Sequence, residues 1–194
     1  MKYIIFRKFI SSDHFIADFV SCTASRNQGG YSCQEAFDGS VQSSGNGWAY
    51  DGQVPAWASF KLAEETKITS LRLVSGIDRN DHRLITFKVS MHVNNRWVVP
   101  GDLRIKEDSE AIIASDGTIT LSTGIHVASL SFNPISNVES VRIDVTKTDA
   151  GNNNLVLTEI IPNFADAVPL SKYFLICWNQ TFISSVLGLT EFQS

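Results

Sequence analysis

The amino-acid sequence predicts an all-β fold, an antiparallel β-sandwich, and three observations carry that prediction. First, apolar and polar residues alternate with a period of two over residues 85–93, which is typical of a half-buried strand. Second, turn-forming pairs such as Asn94-Asn95 and Asp116-Gly117 separate the alternating segments. Third, no segment has a convincing helical period, and roughly seven or eight short strands are typical of a sandwich.

The strands follow one another along the middle of the chain. Alternation predicts them, in order, over residues 58–62, 69–74, 85–93, 118–122, 128–132, 141–145 and 155–160. Asn133-Pro134 is interpreted as a turn between two of these strands. Trp48, Trp57 and Trp97 could stack on a ligand, but buried aromatic residues dominate the packing of small sandwiches, so the core is the expected place for them.

Composition indicates one ordinary domain with tails. A chain of 194 residues buries roughly 70% of its unfolded surface, so a core needs no disulfide framework. Hydrophobic residues at 43% and charged residues at 19% exclude a disordered chain, a coiled coil and a polytopic membrane protein. The net charge of -4 lacks the basic footprint of a nucleic-acid-binding protein, so no nucleic-acid partner is expected.

The two ends of the chain depart from the strand rhythm. Residues 1–21 form an N-terminal extension in which charged residues interrupt the apolar run, so they make a poor secretory signal. Residues 22–164 form the predicted domain, and residues 165–194 form a C-terminal appendage. The apolar stretch in this appendage is too short and too polar to predict a membrane span.

The cysteines leave two interpretations open. Cys22 and Cys33 flank a short, loop-like segment whose ends could meet in a disulfide, and the alternative is two free buried thiols. A bridge closing so short a loop would contribute about 2 to 3 kcal/mol. Zinc ligation is not expected, because no CxxC pair or nearby histidine provides the spacing.

The order of these features resembles the discoidin domain, also called the coagulation factor V/VIII C-type domain, and the related galactose-binding-like carbohydrate-binding modules. The residues that carry the resemblance are Ala36-Phe37-Asp38-Gly39, Trp48, residues 57–62, Arg83 before its strand, Trp97, residues 141–145 and residues 157–160. The resemblance covers about residues 22–164. It implies an antiparallel jelly roll of roughly eight strands.

The resemblance also implies a structural Ca²⁺ ion near the first polar loop. Asp38 and Glu159 would supply carboxylates, and the backbone around Phe37, Ser40 and Asn46 would supply carbonyl oxygens. Hard oxygen ligands at flexible angles suit calcium. The alternative is that Asp38 caps the Asp-Gly turn and that Glu159 pairs with a basic residue.

Ligand binding in the carbohydrate-binding relatives uses loops at one end of the sandwich. The residues that would hold a sugar here are Arg79, Asp81, His82, Asn152, Asn153 and, as a stacking ring, Tyr50. Charged and amide groups exchange hydrogen bonds with hydroxyls, while an aromatic ring packs on the sugar face. The alternatives are solvated loop charges and an asparagine-rich turn.

The sequence therefore predicts a non-catalytic module that binds carbohydrate or a glycoprotein glycan in an extracellular or cell-surface setting. No GxSxG or HExxH motif occurs, so the chain is not expected to be an enzyme. Two alternatives remain. The domain could be a cell-adhesion module of the same fold that binds lipid head groups or a protein, or the chain could be a fragment of a larger glycan-active enzyme. Membrane lipid is the less expected partner, because the loops hold few apolar residues.

Overall fold

The structure is a computed structural model that describes residues 18–27, 29–39, 47–50, 54–75, 82–150 and 154–163 and, of Tyr50, the backbone alone. In this part of the chain the fold is an antiparallel β-sandwich, which confirms the predicted fold class. The strands are β1 (Phe19–Ala24), β2 (Trp48–Tyr50), β3 (Ala56–Ser75), β4 (Leu84–Val93), β5 (Arg96–Val98), β6 (Arg104–Ile105), β7 (Ile112–Ile113), β8 (Thr118–Ile125), β9 (Val127–Thr148) and β10 (Leu155–Pro162). Among these residues no helix is long and apolar enough to cross a membrane.

Two long strands, β3 and β9, belong to both layers of the sandwich. They pair with each other along almost their whole length, from Ala56 opposite Val145 to Val74 opposite Val127. Their register shifts between Lys61 and Ser70, where bulges bend the pair. A strand that bends in this way can leave one layer and continue in the other.

The burial pattern of β3 records the bend. Before it, Ala58, Phe60 and Leu62 are buried, whereas beyond it Leu71 and Leu73 are buried. Neighbouring side chains of a strand point to opposite faces, so odd-numbered residues such as Leu71 and Leu73 would have faced outward after the bend if the register had not shifted. The bulges therefore keep the apolar residues on the core side in both layers.

The remaining strands extend the two halves of the β3–β9 pair. In one layer, β1 pairs with the first half of β3, and β4 pairs with the second half of β9. Next to β4 lie β8 and then β7, while β5 forms a hairpin with β4. In the other layer, β10 and then β2 extend from the second half of β3, and β6 pairs with the first half of β9.

The core lies between the layers, and both contribute large side chains to it. The largest fully buried ones include Trp48, Phe60, Ile68, Leu71, Leu73, Phe87, Met91, Leu130 and Ile143. Each such side chain contributes roughly 1.5 to 3 kcal/mol to stability. Phe19, Phe37 and Phe60 close one edge of this core, with ring centroids 5.5 to 6.1 Å apart.

The sequence-based division of β9 into two strands was wrong. Asn133-Pro134 does not form a turn but lies inside β9. Ile135 and Ser131 pair with Ile68 and Ser70 of β3, so β9 carries extra residues at this point. A bulge tolerates Pro134, because a bulged residue need not donate a ladder hydrogen bond. Residues 58–62 and 69–74 are likewise two halves of β3.

The structure joins Cys22 and Cys33 in a disulfide, with Cα atoms 6.0 Å apart. This is the bridged alternative of the two that the sequence left open. Cys22 lies in β1, and Cys33 begins the 3-10 helix Cys33–Phe37, which leads directly to Asp38. The disulfide therefore fixes the start of the polar loop to the edge of the sheet.

Replacing both cysteines, as Cys22→Ser/Cys33→Ser, should destabilise the domain by about 2 to 3 kcal/mol, because the unfolded chain loses a constraint. For a domain of this size we expect the melting temperature to fall by about 5 to 10 °C. Calorimetry measures the shift. As a control, dithiothreitol should lower the melting temperature of the wild type and leave that of the double variant unchanged. Equal melting temperatures for wild type and variant would contradict the stabilising role.

Candidate functional site

Several strands end together at one end of the sandwich. The N–H of Leu84, the first residue of β4, donates to Ser75 Oγ at the end of β3, at 3.3 Å. Leu84 also pairs with Thr148 at the end of β9. The Ser75 N–H donates to the carbonyl oxygen of His126, in the turn between β8 and β9, at 2.8 Å. Four strand ends are thereby held in one place.

An ion pair joins the segments that flank two of the loops. The Arg83 N–H and side-chain Nε donate to the two carboxylate oxygens of Asp149, at 2.6 and 2.5 Å, and the Asp149 N–H donates to the Arg83 carbonyl at 3.1 Å. A Cβ on Gly124 would lie 2.5 Å from an Asp149 carboxylate oxygen, so a side chain at this position would displace the ion pair. Residues 76–81 and 151–153 thus depart from neighbouring points.

The base of this end is polar although it is buried. Ser75, His82 and Thr148 all lie among the buried residues, and His82 is 5% exposed. His82 has a positive φ of 73°, which turns the chain into β4. Thr148 Oγ1 is buried without a hydrogen-bond partner in the described part of the chain. Buried polar atoms need partners, so a polar ligand or water is expected near this hydroxyl.

The structure places only part of the predicted ligand set. His82 lies at the base of this end, and the Tyr50 backbone pairs with Leu155 at the same end. The other predicted ligand residues, Arg79, Asp81, Asn152 and Asn153, lie outside the described residues, as does the Tyr50 side chain. Sequence reasoning did not identify Asp149, because a single acidic residue after a strand carries no motif.

The predicted calcium ligands Asp38 and Glu159 are brought together. A bulge in β10 between Leu157 and Glu159 shifts the alternation, so that Ile160 faces the core and Glu159 faces away from it. Glu159 is nevertheless only 5% exposed. The Gly39 N–H, next to Asp38, donates to Glu159 Oε1 at 3.3 Å.

Electrostatics at Glu159 disfavour a bare carboxylate. Burial raises the pKa of Glu159 to about 7, the Asp38 carboxylate adds to this increase, and the Gly39 N–H opposes it. Glu159 Oε2 is buried and has no hydrogen-bond partner among the described residues. In the same part of the chain, no Lys or Arg forms an ion pair with Glu159.

These groups fit a hard cation. A buried carboxylate oxygen without a partner, beside a second carboxylate, is the chemistry that calcium satisfies. The described residues contain no cluster of three or more His, Cys, Asp or Glu side chains suited to a metal, so further ligands would have to be carbonyl or amide oxygens. Ser40 and Asn46, the other predicted ligands, lie outside the described residues.

The far end of the same loop is also anchored on β10. Gly47 has a φ of 133°, and a Cβ there would lie 2.7 Å from the Leu157 carbonyl oxygen. Trp48, which follows, is fully buried, and its Nε1–H donates to the Arg26 carbonyl at 2.9 Å. Both ends of the loop between Gly39 and Gly47 therefore rest against the strand that carries Glu159.

The amino-acid sequence matches a known family over most of its length. The F5/8 type C domain model matches residues 21–160. The chain belongs to the F5/8 type C domain family. The predicted resemblance to discoidin domains is thereby confirmed. A comparison with curated proteins finds no match.

Solved structures share the fold of this F5/8 type C domain. A pectin-binding carbohydrate-binding module has a TM-score of 0.58 and 24% identity, covering 79% of this chain and 96% of its own. The family 32 module of C. perfringens NanJ, in complex with galactose, has a TM-score of 0.55 and 16% identity, covering 73% and 91%. SpGH29 has a TM-score of 0.55 and 16% identity, covering 77% of this chain but only 27% of its own.

The tryptophans divide between core and surface. Trp48 lies in the core as predicted, whereas Trp57 is half-buried beneath the Arg142 guanidinium, whose carbon lies 4.4 Å from the ring centroid. Trp97 is 46% exposed, so the prediction that it belongs to the core was wrong. It follows a turn after β4, in a short strand whose outer face is uncovered.

The raised pKa of Glu159 predicts a pH-dependent stability of the calcium-free protein. The folded state holds a proton up to about pH 7, whereas the unfolded chain releases it near 4.5. Stability from this group is therefore complete below about pH 4.5 and is lost as the pH rises through 7. We expect the melting temperature in chelator to fall by several degrees over this interval.

The variant Glu159→Gln should remove that component, because the amide does not titrate. Exposed Glu65→Gln is the matched control and should retain the wild-type pH profile. Melting temperatures across pH 4 to 8.5 for the three proteins provide the comparison. A profile that is the same in Glu159→Gln and the wild type would assign the dependence to other groups.

Proposed function

We propose that this F5/8 type C domain is a non-catalytic carbohydrate-binding module. The observation that supports this most directly is the Arg83–Asp149 ion pair. It holds together, at one end of the sandwich, the segment that follows residues 76–81 and the segment that precedes residues 151–153. Loops carried by a rigid sandwich are suited to ligand binding. Structures with this fold include a pectin-binding module and a module in complex with galactose.

In this proposal the ligand lies above the buried polar base formed by Ser75, His82 and Thr148. Arg79 and Asp81 would donate to and accept from hydroxyls, while the amides of Asn152 and Asn153 do both. The Tyr50 ring would pack on the apolar face of the sugar. His82, which is nearly buried, would reach the ligand only at the base of this end.

We also propose that Asp38 and Glu159 hold a structural Ca²⁺ ion. Oxygen atoms around Phe37, Ser40 and Asn46 would complete the ligand set. The ion would take the place of the proton on Glu159 and would neutralise the Asp38 carboxylate beside it. It would thereby join the first polar loop to the last strand and support the strand end next to the ligand site.

An extracellular or cell-surface setting is part of the proposal. The Cys22–Cys33 disulfide supports it, because such bonds persist in oxidising compartments. The chain covers 27% of the length of SpGH29, which supports the alternative that such a domain acts as one part of a larger protein. A lipid or protein partner would be the conclusion if no glycan bound.

Calcium should stabilise the folded protein, since an ion that binds only the folded state raises its melting temperature. At pH 8 we expect an increase of several degrees in millimolar Ca²⁺, and a smaller one at pH 5, where a proton competes for Glu159. Asp38→Asn and Glu159→Gln should abolish the increase, and Glu65→Gln should retain it. An unchanged wild-type melting temperature in calcium and in chelator would refute the metal site.

Glycan binding is tested by screening the full chain on a glycan array with calcium present. Hits should share one terminal sugar. Arg79→Ala and Asn152→Ala should each weaken binding about 10-fold or more, since each removes a charged or amide hydrogen bond. Lys88→Ala, on the outer sheet face, is the control. A blank array from folded protein would reject the carbohydrate proposal, and liposome and protein pull-downs would then test the adhesion alternatives.

A further inference from the structure

The outer face of the β4 layer carries an exposed tryptophan far from any loop predicted to bind a ligand. Trp97 is the one aromatic residue among the large exposed apolar side chains of the described part of the chain. It lies in β5, which forms a tight hairpin with β4 through Asn94 and Asn95, both at positive φ. A turn of this kind matches the twist of the strands and holds the hairpin rigid. The hairpin thus fixes the backbone that carries the ring, and the ring itself is not covered.

Trp97 ends a row of side chains that crosses four strands. Lys61 of β3 is opposite Ser140 of β9, Ser140 is opposite His92 of β4, and His92 is opposite Trp97. Strand spacing makes this row about 14 Å long. The row lies on the outer face, because the neighbouring Phe60, Val141 and Met91 are buried in the core.

Polar groups are held beside the ring. The His92 ring centroid lies 5.1 Å from that of Trp97, at an interplanar angle of 56°. His92 Nδ1 lies 3.1 Å from Glu139 Oε2, which fixes the orientation of the imidazole. This contact leaves His92 Nε2 and Glu139 Oε1 for a ligand, and both side chains are partly exposed. A flat ring, an imidazole and a carboxylate therefore share one rigid surface.

We propose that Lys61, Glu139, Ser140, His92 and Trp97 form a second carbohydrate-binding surface on the sheet face, separate from the loop site. A pyranose presents an apolar C–H face and a rim of hydroxyls, which match an exposed indole flanked by hydrogen-bonding groups. A row about 14 Å long accommodates two or three linked sugar rings. The surface would therefore bind an extended oligosaccharide, with one ring on Trp97 and the next beside His92 and Glu139.

The chemistry of the row favours a saccharide over a protein partner. Protein interfaces centre on contiguous apolar residues, whereas the neighbours of Trp97 in this row are an imidazole, a hydroxyl and an ammonium group. The class of ligand rests on the proposed function, but the position does not, since no residue is shared with the loop site.

Affinity electrophoresis of the full chain tests this surface, with gels that contain polygalacturonate, galactan or alginate. The variants are Trp97→Ala and His92→Ala, with Arg79→Ala for the loop site. Ile112→Ala is the matched control, because Ile112 is an apolar residue that is 69% exposed on another strand of the same layer. Melting temperatures of Trp97→Ala, His92→Ala and Ile112→Ala should agree with that of the wild type within about 2 °C, since these three side chains are partly or largely exposed.

We expect the wild type and Ile112→Ala to be retarded equally in at least one gel. Trp97→Ala should raise the dissociation constant for that polysaccharide about 10-fold, and His92→Ala should raise it by less. Arg79→Ala should keep a residual retardation that the double variant Arg79→Ala/Trp97→Ala loses.

The outcomes separate the two proposals. Retardation of Trp97→Ala equal to the wild type would overturn the second surface and leave the loop site standing. A change in oligomeric state with unchanged retardation would also overturn it, in favour of self-association. A wild type that is retarded in no gel would count against both proposals.

Discussion

The continuous pairing of β3 with β9 is the constraint on which the remaining structure depends. Every other layer-forming strand is placed by one half of this pair, directly or through a neighbour. The bulges between Lys61 and Ser70 decide which residues face the core on each side of the bend. The site follows from the same pairing, because Ser75 and Thr148 lie at the ends of these two strands and define the end from which the loops depart.

The calcium proposal and the two sugar proposals depend on different physics. At Glu159 the driving force is the cost of an uncompensated buried carboxylate, which a proton or a cation relieves. At the loop end, hydrogen bonds between backbone and side-chain groups fix the strand ends that flank the loops proposed to bind a sugar. On the sheet face, a hairpin fixes the backbone that carries Trp97 before a ligand binds. Such preorganisation reduces the entropic cost of association.

Strand alternation made most of the fold predictable, and packing decided the rest. Residues 85–93 were predicted correctly within one residue, because their alternation reflects a strand buried on one face only. The turn predicted at Asn133-Pro134 was wrong, since a sequence does not show that a bulge will accommodate a proline inside a strand. Short edge strands such as β6 and β7 carry too few residues to show an alternating period.

Trp97 was wrongly assigned to the core, because hydrophobicity alone does not reveal which face of β5 is covered. Asp38 and Glu159 were paired through the family resemblance, and the structure supplied the bulge that brings Glu159 to Gly39.

Sharing β3 and β9 between the layers also has a consequence for how the domain acquires its structure. Each layer contains one half of β3 and one half of β9, and these two strands are far apart in sequence. Contacts between residues close in sequence therefore cannot form either layer alone. The chain between β3 and β9 must close into a long loop before most of the core can be buried and stabilise the fold. Folding is therefore expected in the millisecond-to-second range typical of non-local β folds. Neither layer can persist when the other opens, because opening would bend or break strands common to both. The sandwich is therefore one cooperative unit, and the loop end and the sheet face are lost together when it unfolds.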